Sequence, residues 1–167
     1  ISVEGAGRLY FGRPLFERYG VAIDIGTTTI AMKLFDAARE LGSSTGRNPQ
    51  IAFGADVITR IDKAIKGESA HIQQVVVAGL NDLLANLCRK CGVDKRDIDI
   101  AVITGNTAML FLLTGENPDS LAHTPFIASR LFGEYLPPDA LSLHIAPEAR
   151  VYLTRCMGAY VGGDIST

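Results

Sequence analysis

Long apolar runs are missing from this 167-residue chain, and no stretch approaches the roughly 18 residues that a bilayer crossing needs. No signal-peptide pattern opens it, so the expectation is a cytoplasmic protein with no membrane association. An excess of one charge is missing too. Sixteen Lys and Arg (16) face 18 Asp and Glu for a formal net charge of −2, and the basic residues are scattered. That distribution argues against a nucleic-acid partner. Cysteine is scarce, and an odd count of 3 argues against a disulfide framework. Cys88 and Cys91 form a C-x-x-C just before Gly92, but no second such pair and no nearby His accompany them. They read as two small residues one helical turn apart, not as a metal or redox pair. His71, His123 and His144 are isolated, without ligand spacing. Internal repeats and low-complexity tracts are absent. What remains is a chain whose 47% hydrophobic content is ample for a core.

The informative stretch is Tyr19 to Ile30, reading Tyr-Gly-Val-Ala-Ile-Asp-Ile-Gly-Thr-Thr-Thr-Ile. Val21, Ile23 and Ile25 predict a buried strand that delivers Asp24 near its C-terminal end. Gly26 makes a turn, and hydroxyl residues open a second apolar strand from Ile30 to Phe35. Such a turn suits a nucleotide polyphosphate. Gly26 lets backbone N–H groups approach phosphate oxygens, Thr27 and Thr28 can donate to them, and Asp24 can hold Mg²⁺ through its waters. The plainer reading is a β-hairpin whose glycine turn carries an Asp. A Walker loop is excluded, because G-x-x-x-x-G-K-[ST] occurs nowhere. The strand–turn–strand pattern resembles the first phosphate loop of the acetate kinase, sugar kinase, Hsp70 and actin superfamily.

Along the chain, residues 1–19 carry scattered Gly and Pro and read as a linker or the end of a preceding domain. The opening Ile fits a chain that begins in mid-protein. Strands are expected near 20–26 and 28–36, and a weaker one around Glu40 to Thr45. The spacing of Ala55, Val57, Ile58 and Ile61 predicts a helix from Gly54 to about Ile65. Ile72, Val75, Val76, Leu80, Leu83, Leu84 and Leu87 predict a longer one from Ser69 to Cys91, stopped by Gly92. A buried strand at Ile98–Thr104, a short helix at Asn106–Leu113 and a strand at Val151–Leu153 follow. Thr124–Pro147 is irregular. The order predicts an α/β ribonuclease H-like lobe: three antiparallel strands extended by two parallel ones, with helices on both faces.

Four segments make the resemblance narrower. They are Gly20-Val-Ala-Ile-Asp-Ile-Gly-Thr-Thr-Thr, Asn48-Pro-Gln-Ile-Ala-Phe-Gly-Ala-Asp-Val-Ile-Thr-Arg-Ile, Gly105-Asn-Thr-Ala-Met and Tyr160-Val-Gly-Gly-Asp-Ile. With them the chain resembles the ATPase part of the reductive activators of corrinoid-dependent proteins and methyltransferases. The resemblance implies that residues 20–167 are the first lobe of an ATP- and Mg²⁺-dependent protein. It further implies a 2Fe–2S ferredoxin-like domain outside this chain, and a corrinoid protein or corrinoid methyltransferase as partner. A homodimer is a further expectation. A sugar or small-metabolite kinase lobe, or a non-enzymatic actin- or chaperone-like lobe, stands as the alternative.

The candidate residues follow. Asp24 is the metal-side and catalytic carboxylate, or else a turn Asp satisfied by neighbouring N–H groups. Gly26, Thr27 and Thr28 are phosphate contacts. Gly105, Asn106 and Thr107 end a parallel strand and would line the cleft, although Asn106 also suits a helix cap. Asp164, after Gly162-Gly163, is a second catalytic candidate or a plain N-cap. Asn48, Gln50 and Asp56 have no derived chemistry. Phe126, Leu131, Phe132, Tyr135 and Leu136 form either a protein–protein surface or the filling of the lobe's own core.

Overall fold

Val21, Ile23 and Ile25 alternate with Ala22 and Asp24, a period of two that an extended strand sorts onto opposite faces. In the computed structural model, which describes residues 16–124 and 127–156, this segment is β1, Tyr19–Ile25. The chain turns back into β2, Thr29–Asp36, and again into β3, Glu40–Arg47. Strands β4 (Ile98–Gly105), β5 (Glu134–Leu136) and β6 (Arg150–Leu153) complete a sheet of order β3-β2-β1-β4-β6-β5. β1, β2 and β3 pair antiparallel, while β1–β4 and β4–β6 pair parallel. The expected core of three antiparallel and two parallel strands is therefore present. β5 is additional. It lies inside the stretch read as irregular and pairs antiparallel along the outer edge of β6. Three residues are too few to display a period, so only pairing with β6 makes them a strand.

The helices are α1 (Val57–Lys63), α2 (Ser69–Cys91), α3 (Thr107–Thr114) and α4 (Asp119–Ala122). α2 keeps its expected limits. Ile72, Val76, Leu80, Leu84 and Leu87 recur along one buried face, and Gly92 at φ 69° closes the last turn in the left-handed conformation. Burying each of those leucines stabilises the fold by roughly 1.5–3 kcal/mol. α1 is shorter than its pattern suggests, and a π-helical turn at Ala64–Glu68, with Gly67 at φ 104°, joins it to α2.

Among the described residues the helices lie on one face of the sheet, and the helix expected to begin near Asp164 falls outside them. α2 and α3 share one core with Val21, Ile23, Ile25, Met32, Ile103 and Val151. On the opposite face Ala22, Ala31, Val102, Thr104 and Tyr152 are only half-buried, and Asp24 and Lys33 are exposed. The exception is Ile100 beside Gly20, where the Phe16 ring lies across the sheet. Arg18 ties this entry segment down by donating to Asp97 (2.7 Å), Asp99 (2.8 Å) and Glu148 (3.2 Å).

The stretch read as an interface or a core filler is divided. Phe132 is half-buried, edge-on to Phe111 at 5.5 Å and stacked under Arg130. Tyr135 is 52% exposed and packs on Tyr152 and Arg150. Phe126 lies outside the described residues, as does Asp164 with the Tyr160–Ile165 segment.

Candidate functional site

The turn between β1 and β2 is built by close approach. Gly26 N–H donates to the Thr29 carbonyl at 2.9 Å, and a Cβ on Gly26 would stand 2.8 Å from that oxygen. Glycine is required there by space, since its φ is not in the left-handed region.

The three loop carbonyls are each held from behind. Asn48 Nδ2 donates to Gly26 O at 2.8 Å, Arg60 Nη2 donates to Thr27 O at 2.7 Å, and the Asn48 N–H donates to Thr28 O at 2.8 Å. A planar trans peptide points its N–H away from its C=O. Carbonyls 26 and 27 turned inward therefore turn the N–H groups of Thr27 and Thr28 outward. Among the described residues no hydrogen-bond partner is found for those amides or for the two hydroxyls. Two backbone donors and two hydroxyls gathered on one turn make an anion-accepting edge.

The supporting residues come from the segment that runs from the end of β3 into α1. Asn48 caps the 3-10 turn Pro49–Phe53, its Oδ1 accepting from Gln50 N–H at 3.0 Å. Gly79 of α2 lets this turn seat closely, because a Cβ there would come within 2.9 Å of Pro49 Cγ. Asp56 caps α1 by accepting from Thr59 N–H (2.8 Å) and Thr59 Oγ1 (2.9 Å). Those hydrogen bonds hold its carboxyl below the usual carboxylate range. Arg60, one turn on, donates Nε to Gly54 O at 2.8 Å and sets Nη1 against Met109 Sδ at 3.8 Å. Asn48, Gln50 and Arg60 are all completely buried. Among the described residues, Gln50 Nε2 has no hydrogen-bond partner.

Asp24 sits on the sheet face opposite α2 and α3, level with Ala31 of β2 and Thr104 of β4, at the C-terminal ends of β1 and β4. Gly105 lies opposite Ile25, and a Cβ on it would meet the Ile25 carbonyl at 2.9 Å. Thr154 closes the same end of the sheet, its Oγ1 donating to Thr104 Oγ1 at 3.1 Å. Asn106 acts as a cap: its Oδ1 accepts from Met109 N–H at 2.9 Å to start α3. Thr107 and Gly105 are buried. Asp24, Gly26, Thr27, Thr28 and Gly105 are thus brought to one end of the sheet.

Arg60 was missed by sequence reasoning, and Asn48 was noticed without a role. A signal for Arg60 exists in the pattern. Val57, Arg60, Ile61 and Ala64 form one helical stripe, and a cation within an apolar stripe needs an internal partner. Ile58, taken for a core position, is instead 71% exposed. Of the C-x-x-C pair, Cys88 is buried on α2 and Cys91 half-buried, and burial pushes the Cys88 thiol up to about 11. Among the described residues no group of three His, Cys, Asp or Glu could hold a metal alone, and no helix is long and apolar enough to cross a membrane.

Residues 19–167 match the family described as RACo middle region. The chain is 36% identical over 150 residues to the corrinoid activation enzyme RamQ of Eubacterium limosum, covering 87% of this chain and 25% of that protein. Its structure is similar to that of a reductive activator for a corrinoid, iron-sulfur protein, with a TM-score of 0.86 and 34% identity, over 93% of this chain and 25% of that one. The chain thus spans about a quarter of the length of these relatives. The held turn at Gly26–Thr28, the segment that holds it and the match over residues 19–167 leave one assignment: this chain belongs to the RACo middle region family of the corrinoid reductive activators.

Proposed function

We propose that this segment is one half of the nucleotide cleft of an ATP-dependent reductive activator, which returns an inactive Co(II) corrinoid protein or methyltransferase to its active state. The observation that carries the reading is the inward anchoring of the loop carbonyls, which leaves the amides of Thr27 and Thr28 as outward donors. In this reading the sheet is a ribonuclease H-like lobe of the actin and chaperone type. The second half of the cleft and the 2Fe–2S cluster belong to other parts of the protein, which is cytoplasmic.

The donor set fits phosphate. Thr27 and Thr28 offer N–H and O–H groups, and Gly26 keeps the backbone accessible. Asp24 is the carboxylate placed to hold Mg²⁺ through water, an ion that seldom needs more than one or two protein carboxylates when phosphates share it. Bound Mg-ATP would supply the phosphoryl chemistry, and its hydrolysis would bias the arrangement of the two lobes. This chain's own contribution is positioning and charge stabilisation. Donors fixed before binding cost no reorganisation during reaction. Asp164, with Gly105, Asn106 and Thr107, belongs to the same cleft in this reading, Asn106 as the cap that sets the start of α3.

The test is Asp24→Ala in the full-length protein. Mg²⁺-dependent ATP hydrolysis is expected to fall by 10²-fold or more, on the order of a lost electrostatic contact to the reacting centre, with the far-ultraviolet circular dichroism unchanged. Hydrolysis that survives this change would show that another group serves the metal.

A further inference from the structure

We propose that Arg60 is the positioning residue of the phosphate loop and its built-in counter-charge, so that phosphate binding at Thr27–Thr28 depends on a cation that never touches the ligand. The inference rests on the nucleotide reading above and deepens it.

Three observations carry it. Arg60 is completely buried, yet among the described residues no carboxylate lies within ion-pair distance of it. Its partners are two backbone carbonyls, Gly54 O and Thr27 O, and the Met109 sulfur. Asp56, the acid that bears on it electrostatically, is itself exposed and committed to Thr59. A guanidinium stays protonated even when burial lowers its pKa, so the charge is permanent. Burying such a charge without a counter-ion is costly. A fold that keeps it gains something from an anion nearby.

The geometry says where that anion sits. Thr27 O and the Thr28 N–H belong to one peptide unit. Arg60 pulls on the carbonyl end, which polarises the N–H end and makes it a stronger donor on the outer side of the turn. Asn48 does the same, without charge, for the peptide joining Gly26 and Thr27. Arg60 thus acts twice, fixing the direction of the Thr28 amide and adding a positive potential behind it. Phosphate oxygens placed on the outer side complete the electrostatics that the buried guanidinium leaves open.

The experiment separates the charge from the hydrogen bond. In the full-length protein, Arg60→Lys and Arg60→Gln can each still donate to Thr27 O, but only the lysine keeps a charge. Calorimetric titrations use Mg-ATP, Mg-pyrophosphate and adenosine as probes. R60Q is expected to lose about 10-fold or more in affinity for the two phosphate probes, with adenosine unchanged. R60K is expected to stay within about 3-fold of the parent protein at about pH 5, where the lysine carries its charge. Relative to the parent protein at the same pH, its affinity then falls to the R60Q level as pH rises toward about 9, because desolvation makes a lysine lose its proton below its ordinary range while arginine stays charged. Should R60Q fail to fold, the R60K pH profile decides alone.

R60Q binding like the parent, or R60K matching R60Q at every pH, would overturn the assignment of Arg60 while leaving the nucleotide reading intact. A parent protein that binds Mg-pyrophosphate but not Mg-ATP removes the nucleotide reading, and the same variants then judge Arg60 on pyrophosphate. Binding of neither phosphate probe overturns both.

Discussion

Removing the Asn48 side chain tests the support of the loop most directly. Asn48→Ala deletes the acceptor that caps Gln50 N–H (3.0 Å) and the donor that holds Gly26 O (2.8 Å), at a completely buried position. Loss of an Asn cap costs about 1 kcal/mol. A carbonyl left without its partner costs about 1–2 kcal/mol when part-buried. The expected destabilisation is therefore about 2–3 kcal/mol, or a midpoint lowered by about 4–12 °C for a chain of this size. Urea unfolding followed by circular dichroism measures it, with an unchanged m-value showing that the unfolded state is not the cause. Phosphate affinity should fall too, since the Gly26 carbonyl is free to turn and take the Thr27 amide out of line. A loss under about 0.5 kcal/mol would be within the range of an ordinary surface substitution. That result would mean water satisfies Gly26 O as well as Asn48 does, and the account of a loop held from behind would fail.

Two further outcomes are expected. Gly26→Ala places a Cβ 2.8 Å from Thr29 O, a backbone atom that can yield only if the turn opens, so stability should drop by about 1–3 kcal/mol and Mg-ATP affinity of the full-length protein by about 10-fold or more; calorimetric titration showing parent-like affinity would refute the close-approach argument. Cys88, its thiol raised to about 11 by burial, should resist alkylation by iodoacetamide at pH 8 in the folded chain, as read by mass spectrometry of its peptide. The folded state holds that proton more tightly than the unfolded one, so its contribution is constant below about 9 and lost as pH rises from there toward about 11. Rapid modification at pH 8 would place Cys88 on an accessible, activated site and revive a redox role.

Much of this protein is written locally. Alternation in Tyr19–Ile25 makes a strand with Asp24 on one face and three aliphatic residues on the other, whatever it pairs with. The stripe from Ile72 to Leu87 and the stop at Gly92 specify α2 almost to the residue, because a 3.6-residue period and a left-handed glycine are properties of the segment alone. The chemistry of the turn, glycine followed by hydroxyls beyond an Asp, is likewise local. What faces the back of that turn is not. Asn48 lies 22 residues from Gly26, and Arg60 lies 33 from Thr27. Their hydrogen bonds exist only once β3 has paired with β2 and Gly79 has let Pro49 settle on α2. Tertiary packing also set the rotation of α1, keeping Ile61 inward as its pattern expects while bringing Arg60 to two backbone carbonyls and leaving Ile58 outward. It made β5 a strand by offering the free edge of β6. Periodicity is a one-dimensional property and the sequence alone determined it. The partner of a buried charge is set by the meeting of distant segments, and only the folded chain decided that.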